Sequence, residues 1–236
     1  ILELRVDCEV EEADTKGVIQ YGWRFYSAKG YAGDLKWIPA IMVPIAKEAV
    51  RRIRNLTAES RKLAGWIEAF PNKPYRHAAC PNLADNEPLT IFQACEYMGW
   101  AHETRRACTS SLSHAKLSAK DGIHSINTLW QYAMTRQPME IPWLSKQKSI
   151  KFSNALFCMS RNLLGEQRGT SPVLLWAPTN NVFNNNLSPR ITEPGLNHKS
   201  IFDRHGYLSK DAQRLKLTSH QARHLITTLA NRGGLS

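Results

Sequence analysis

Between Pro44 and Pro71 the chain carries no proline, and its apolar residues recur at the spacing of one helix face. Ile45, Ala49, Ile53, Leu56, Leu63, Ile67 and Phe70 fall on a single stripe, which predicts a helix over 44–70. An amphipathic helix draws most of its stability from burying its apolar stripe, so the rest of the chain must cover it. Lys47, Arg51, Arg52, Arg54, Arg61 and Lys62 lie mostly off the stripe. They read either as a solvated face or as a set of phosphate contacts, with Arg51, Arg52, Arg54, Arg61 and Lys62 the DNA-binding candidates.

Upstream of this helix the pattern changes period. Leu2, Leu4, Val6, Cys8 and Val10 alternate with polar residues, as in a half-buried strand. Asp14-Thr-Lys-Gly17 is a turn signal, and 18–26 is aromatic and β-branched. Gly30 and Gly33 permit a reversal, and Lys36-Trp-Ile38 returns as a strand ending at Pro39. The expected product is a β-hairpin with Lys29 at its tip.

Downstream, Pro71, Pro74 and Pro81 break the chain. Residues 87–135 are expected to be mainly helical, with a further helix over 114–136. Within 89–100 a small residue, Cys95, precedes Gly99 by four positions. That spacing fits the first helix and turn of a helix-turn-helix, and it also fits an ordinary helix stopped by glycine. Pro138, Pro142, Lys146 and Lys148 mark a linker, 149–164 suits a helix or a strand, and the Asn- and Pro-rich 179–197 reads as a long loop. A last helix opens on Thr218 or Ser219 as N-cap and stops at Gly233-Gly234. The fold class expected is α+β, mainly α-helical, with a small antiparallel hairpin sheet near the N-terminus.

Charge narrows the partner. Thirty-one Lys and Arg against 20 Asp and Glu give a formal net charge of +11, the signature of a polyanionic partner, nucleic acid first among them. No stretch is long and apolar enough to cross a membrane, and none reads as a secretion signal. The five cysteines are odd in number, scattered and without a CxxC pair, which suits reduced thiols in the cytoplasm. His77 and Cys80, with His102 and Cys95 or Cys108, offer zinc-type donors, but the spacing is irregular and no metal is expected.

The chemistry concentrates near the C-terminus. In the helix over 217–229, Ala222, Leu225, Ile226 and Leu229 form the apolar face, and His220, Arg223 and His224 share the other at i, i+3 and i+4. An arginine fork matches two phosphate oxygens, imidazole donates a hydrogen bond or carries a proton near neutral pH, and a helix start adds free N–H groups. The three side chains read as an anion clamp or as a polar helix surface.

The run His220-Gln-Ala-Arg223-His224, with Leu-Ile-Thr-Thr-Leu-Ala and Gly233-Gly234 after it, resembles the HxxRH box of the tyrosine recombinases, or phage-type integrases. Ala28-Lys29-Gly30 followed by Lys36-Trp-Ile-Pro39 is similar to that family's β-hairpin, and the two elements occur in the family's order. Ile1-Leu-Glu-Leu-Arg-Val-Asp7 resembles the stretch directly after the family's first arginine box, which implies a helix tail over 1–4 in place of a strand.

The resemblance implies a helical catalytic domain acting on double-stranded DNA in a bacterial or phage setting. A tyrosine attacks a DNA phosphate to leave a 3′-phosphotyrosyl link and a free 5′-hydroxyl, with no metal or nucleotide cofactor. Arg223 is then the second arginine, His220 the histidine of the box and Lys29 the general acid, with Lys36 as alternative acid and His224 in support. It also implies assembly on DNA as dimers or tetramers. The family's first arginine and its nucleophilic tyrosine have no counterpart, since no tyrosine comes after the box. Both ends read as cut, so a fragment that does not cleave DNA alone is expected. The division expected is 1–71 (hairpin and basic helix), a mainly helical insertion at 72–150, and 151–236 with the HxxRH box. The alternative is a DNA-binding protein without enzymatic activity, built on the helix-turn-helix-like 89–110 and the basic helix.

Overall fold

A computed structural model describes residues 2–25, 34–100, 102–164, 169–188 and 199–215, with Leu217, Thr218, His220, Gln221 and His224. These residues form an α+β protein of helices and small antiparallel sheets. The chain divides into two compact units. The first is chiefly Glu3–Ile38 and Val43–Ala177, and the second is chiefly the chain from Pro178 on, with Pro39–Met42.

The first unit opens with a three-stranded antiparallel sheet, β1 (Glu9–Ala13), β2 (Ile19–Phe25) and β3 (Asp34–Trp37), in that order. Asp14 shapes the first turn. Its Oδ1 accepts from the amides of Lys16 and Val18, each at 2.9 Å, while Gly17 takes φ +78°. Those two amides hold the Asp14 carboxyl below its ordinary range. The strand expected from Leu2 begins only at Glu9. Residues 2–8 are turns with one bridge, Arg5 to Ala155, and they contain no helix tail. Their backbone is spent elsewhere: Leu4 O accepts from Leu156 N and Val6 N donates to Asn154 O, both at 2.8 Å. The alternation is therefore that of a chain threaded beside 154–156, with Leu4 and Cys8 buried.

The predicted long helix is two helices, α1 (Val43–Leu56) and α2 (Ala58–Ala69), parted at the buried Thr57. Thr57 Oγ1 lies 2.7 Å from Ile53 O and 2.9 Å from Leu156 O. A β-branched hydroxyl that competes for the carbonyl one turn back loosens the helix ladder there. The buried face also differs from the predicted stripe. Ala46 and Val50 face inward on α1, whereas Ile45, Leu56 and Phe70 are exposed. On α2 the stripe holds, with Leu63 and Ile67 buried beside Ser60 and Ala64.

Three more helices come next: α3 (Ile91–Met98), α4 (Arg105–His114) and α5 (Ile126–Thr135). Each has a hydroxyl N-cap, and Thr90 with Gln93 and Ser125 with Thr128 close full capping boxes. Gly99 ends α3 in the left-handed conformation. The helix expected over 114–136 does not start at His114. Residues 115–125 form a connection with Lys116 at φ +60° and Gly122 at φ +76°, and α5 starts after Ser125.

Leu63 and Ile67 of α2 share one core with Ile91, Met98, Leu112, Leu129 and Trp130, and with Ile150, Phe152 and Val173–Leu175. Each such fully buried side chain contributes about 1.5–3 kcal/mol. Residues 72–150 contribute side chains to the core of the first unit, and the chain divides after Ala177.

The expected linker and the apolar stretch after it form short pieces around this core. β4 (Trp143–Ser145) pairs with β5 (Ile150–Lys151), and β6 (Met159–Ser160) pairs with β7 (Leu175–Trp176), both antiparallel. A polar seam joins α2 to them. Ser60 and Ser160 share a hydrogen bond of 2.9 Å, and Lys151 Nζ donates to Glu68 at 3.1 Å. Burial beside this seam pushes the Cys158 thiol up to about 12.

In the second unit α6 (Asn180–Leu187) occupies part of the expected loop. Asparagine is a poor helix former, but here Asn186 is used tertiarily. Its Nδ2 donates to Val182 O and its Oδ1 accepts from Arg204 of α7 (Ile201–Arg204), both at 2.8 Å. Ser200 caps α7 in a box with Asp203.

Candidate functional site

The segment that carries the HxxRH-like run opens as the sequence predicts, on Thr218. Its Oγ1 accepts from Gln221 N at 3.1 Å, and Gln221 Oε1 accepts from Thr218 N at 2.9 Å. This reciprocal pair is a capping box one turn ahead of His224. It satisfies two backbone N–H groups that a helix start otherwise leaves open.

His220 and His224 are both exposed and stand one turn apart. Their Nε2 atoms are 2.9 Å from each other, and the rings meet edge to face with centroids 4.4 Å apart. At that separation one imidazole N–H donates to the other's bare nitrogen. Arg223 lies outside the described residues, as does Lys29.

Lys36, the alternative acid, is exposed on β3 directly opposite Trp23 of β2. Beneath it runs a chain of donors: Trp23 Nε1 donates to Tyr21 Oη at 3.0 Å, and Tyr21 Oη donates to Glu9 at 2.7 Å. Burial, together with the bond to Glu9, raises the Tyr21 phenol well above its ordinary range. Tyr21 Oη is thus engaged on both sides, as acceptor from Trp23 and donor to Glu9. The neighbouring Trp37 lies over Gly22, where a β-carbon would come within 2.8 Å of the indole. No acid among the described residues pairs with Lys36.

The basic helices separate into two kinds of arginine. Arg51 and Arg52 are exposed and both bind Glu48, at 2.6 and 2.7 Å, which holds the Glu48 carboxyl down at about 2. Lys62 pairs with Glu59 at 2.6 Å, again at the surface. Arg54 and Arg61 turn inward. Arg54 donates to Val6 O at 2.8 Å and to Glu9 at 2.7 Å, tying α1 to β1. Arg61 donates to Arg54 O at 2.6 Å and to Thr57 Oγ1. These two guanidinium groups hold the fold, so Arg51, Arg52 and Lys62 are the members of that set open to a phosphate.

The zinc-type donors are each used within the protein. His77 Nε2 is 3.0 Å from Tyr97 O, His102 Nε2 is 2.7 Å from Ser111 Oγ, and Cys95 Sγ points at Cys108 O at 3.6 Å. Among the described residues no three His, Cys, Asp or Glu side chains gather around a common point suited to a metal ion. All five cysteines are free thiols, with Cys95 and Cys158 pushed up to about 12 by burial. Among the described residues no helix is long and apolar enough to cross a membrane.

No protein-family model matches the chain, and no curated protein and no solved structure is significantly similar to it.

Proposed function

We propose that this chain carries the phosphate-holding part of a DNA strand-breaking and rejoining site of the tyrosine-recombinase kind. The observation that supports it most is the exposed His220–His224 pair at a capped helix start, within the sequence run His220-Gln-Ala-Arg223-His224.

In this reading Arg223 grips two non-bridging oxygens of the scissile phosphate. His220 donates to the same phosphate, and His224 fixes the ring of His220. Together they stabilise the charge that builds up as a tyrosine oxygen bonds to phosphorus and the bond to the 5′-oxygen breaks. In the family's chemistry a lysine protonates that leaving oxygen, a role the resemblance gives to Lys29, with Lys36 the alternative. All seven tyrosines precede the box, Tyr207 being nearest, and none is assigned as nucleophile. The partner is double-stranded DNA, drawn by the net charge of +11.

Fluorescence anisotropy with a nicked duplex over a range of salt concentrations tests the assignment. Binding should weaken steeply with salt, and Arg223→Ala or His220→Ala should reduce affinity about tenfold and lower the salt slope. Equal affinity and equal slope in both variants would remove the phosphate-holding role.

A further inference from the structure

The α3–α4 pair has the parts of a DNA-reading helix-turn-helix, and its outward face is not used by the site above. α3 ends at Gly99 in the left-handed conformation, and Cys95, one turn earlier, is fully buried. A small residue there lets α4 approach closely, and Cys95 Sγ lies 3.6 Å from the backbone oxygen of Cys108 on α4. Cys108 and Leu112 form the buried side of α4. Residues 99–104 join the helices, a longer connection than the tightest turns of this kind.

The other side of α4 is polar and faces outward. Successive helix positions turn by about 100°, so Arg105, Arg106, Thr109, Ser110 and Ser113 cover one arc of about 140°. All five side chains can donate hydrogen bonds, and none is apolar or acidic. Arg105 is braced by Asp121 at 2.7 Å, whereas no acid among the described residues pairs with Arg106. The chain from Thr104 to Lys120 holds Arg105, Arg106, Lys116 and Lys120 and no acid at all. A hydroxyl- and guanidinium-bearing helix complements a polyanion whose floor presents acceptors. The major groove of a DNA duplex has that chemistry and is wide enough to admit a helix.

We infer that α4 is a reading helix that enters the DNA major groove, so that α3 and α4 select a base sequence separately from the phosphate-holding pair at His220 and His224. The inference rests on the reading that the chain binds DNA. Arg106 contacts a guanine edge or a flanking phosphate, Ser110 and Ser113 continue along the groove, and α3 crosses the backbone behind them.

The test is selection of the 236-residue chain on a randomised duplex library, with sequencing of the bound DNA. The unaltered protein should enrich a short motif. A variant with Arg106→Ala, Ser110→Ala and Ser113→Ala changes only exposed positions to the best helix former, and circular dichroism should show its fold retained. It should bind the motif roughly tenfold or more weakly, a larger loss than it shows on unrelated DNA. His220→Ala should still enrich the same motif. Salt-dependent binding with no enriched motif, or the same motif from the α4 variant, overturns the inference and leaves the phosphate-holding reading standing. Competition by double-stranded RNA as strong as by the selected DNA also overturns it, since the deep, narrow RNA major groove excludes such a helix.

Discussion

Gly99 sits so close to Pro172 that a β-carbon on it would lie 2.3 Å from the proline Cδ, with Thr170 O at 2.7 Å. The end of α3 is thereby locked against the chain that leads into β7. Gly99→Ala meets a ring and a carbonyl that cannot move away, and it also places alanine at φ +73°. Left-handed strain and overpacking together should cost about 2–5 kcal/mol. Thermal unfolding should show a drop of several degrees, and an unchanged Tm would refute this account of the joint.

Thr57 Oγ1 is held between Ile53 O and Leu156 O and accepts from Arg61. Thr57→Val keeps the shape and deletes the hydroxyl, leaving buried partners unmet at a cost of about 1–3 kcal/mol. Thr57→Ser should keep most of the stability. Urea unfolding separates the two, and equal midpoints for valine and threonine would count against the bridge.

Arg54 and the Arg51–Arg52 pair should respond oppositely. Arg54→Met removes bonds to Val6 O and Glu9 and should cost about 1 kcal/mol, less than a buried pair because the side chain is partly exposed. The double change Arg51→Gln with Arg52→Gln should leave stability within about 0.5 kcal/mol. If those two arginines meet phosphates, its salt slope for DNA binding should fall. Matched unfolding and anisotropy measurements on both variants check the division.

His77 gives the fold a pH dependence. Its burial against Tyr97 lowers its pKa below the ordinary 6.5, despite the hydrogen bond to Tyr97 O. The unfolded chain therefore takes up this proton first as the pH falls. The stabilisation is fully present above 6.5 and is lost below it, as pH falls toward the folded pKa. Tm should decline as the pH falls below 6.5, and less so in His77→Gln. Parallel curves for the two proteins would assign the decline elsewhere.

Arg106 opposes the positive end of the α4 dipole without an acidic partner among the described residues. Arg106→Glu should stabilise the protein by roughly 0.3–1 kcal/mol and weaken DNA binding. A variant that loses both stability and binding would mean that Arg106 serves the fold.

Part of the fold and of the site is legible along the chain. The α2 stripe, the cap at Thr218 and the turn at Asp14 arise from local spacing, and local spacing is what makes them. The same holds for the meeting of His220 and His224 at i and i+4. Motif spacing does not single out Arg106, although the acid-free run from Thr104 to Lys120 marks it. Spacing puts Ile45 on the buried stripe, but whether a neighbour covers it is not a local matter, and it is 64% exposed.

What the sequence by itself determined is the set of local commitments: where helices begin, where glycine stops them, and which basic and imidazole side chains share a helix face. These depend on backbone preferences and on contacts within about one turn. Tertiary structure decided how the residues far apart in sequence are used. Leu4 and Val6 leave their strand pattern to bond with 154–156, Arg54 and Arg61 turn from surface cations into braces, and 72–150 contributes side chains to the core. The reason is that buried backbone and charged groups must find partners wherever the packed chain offers them.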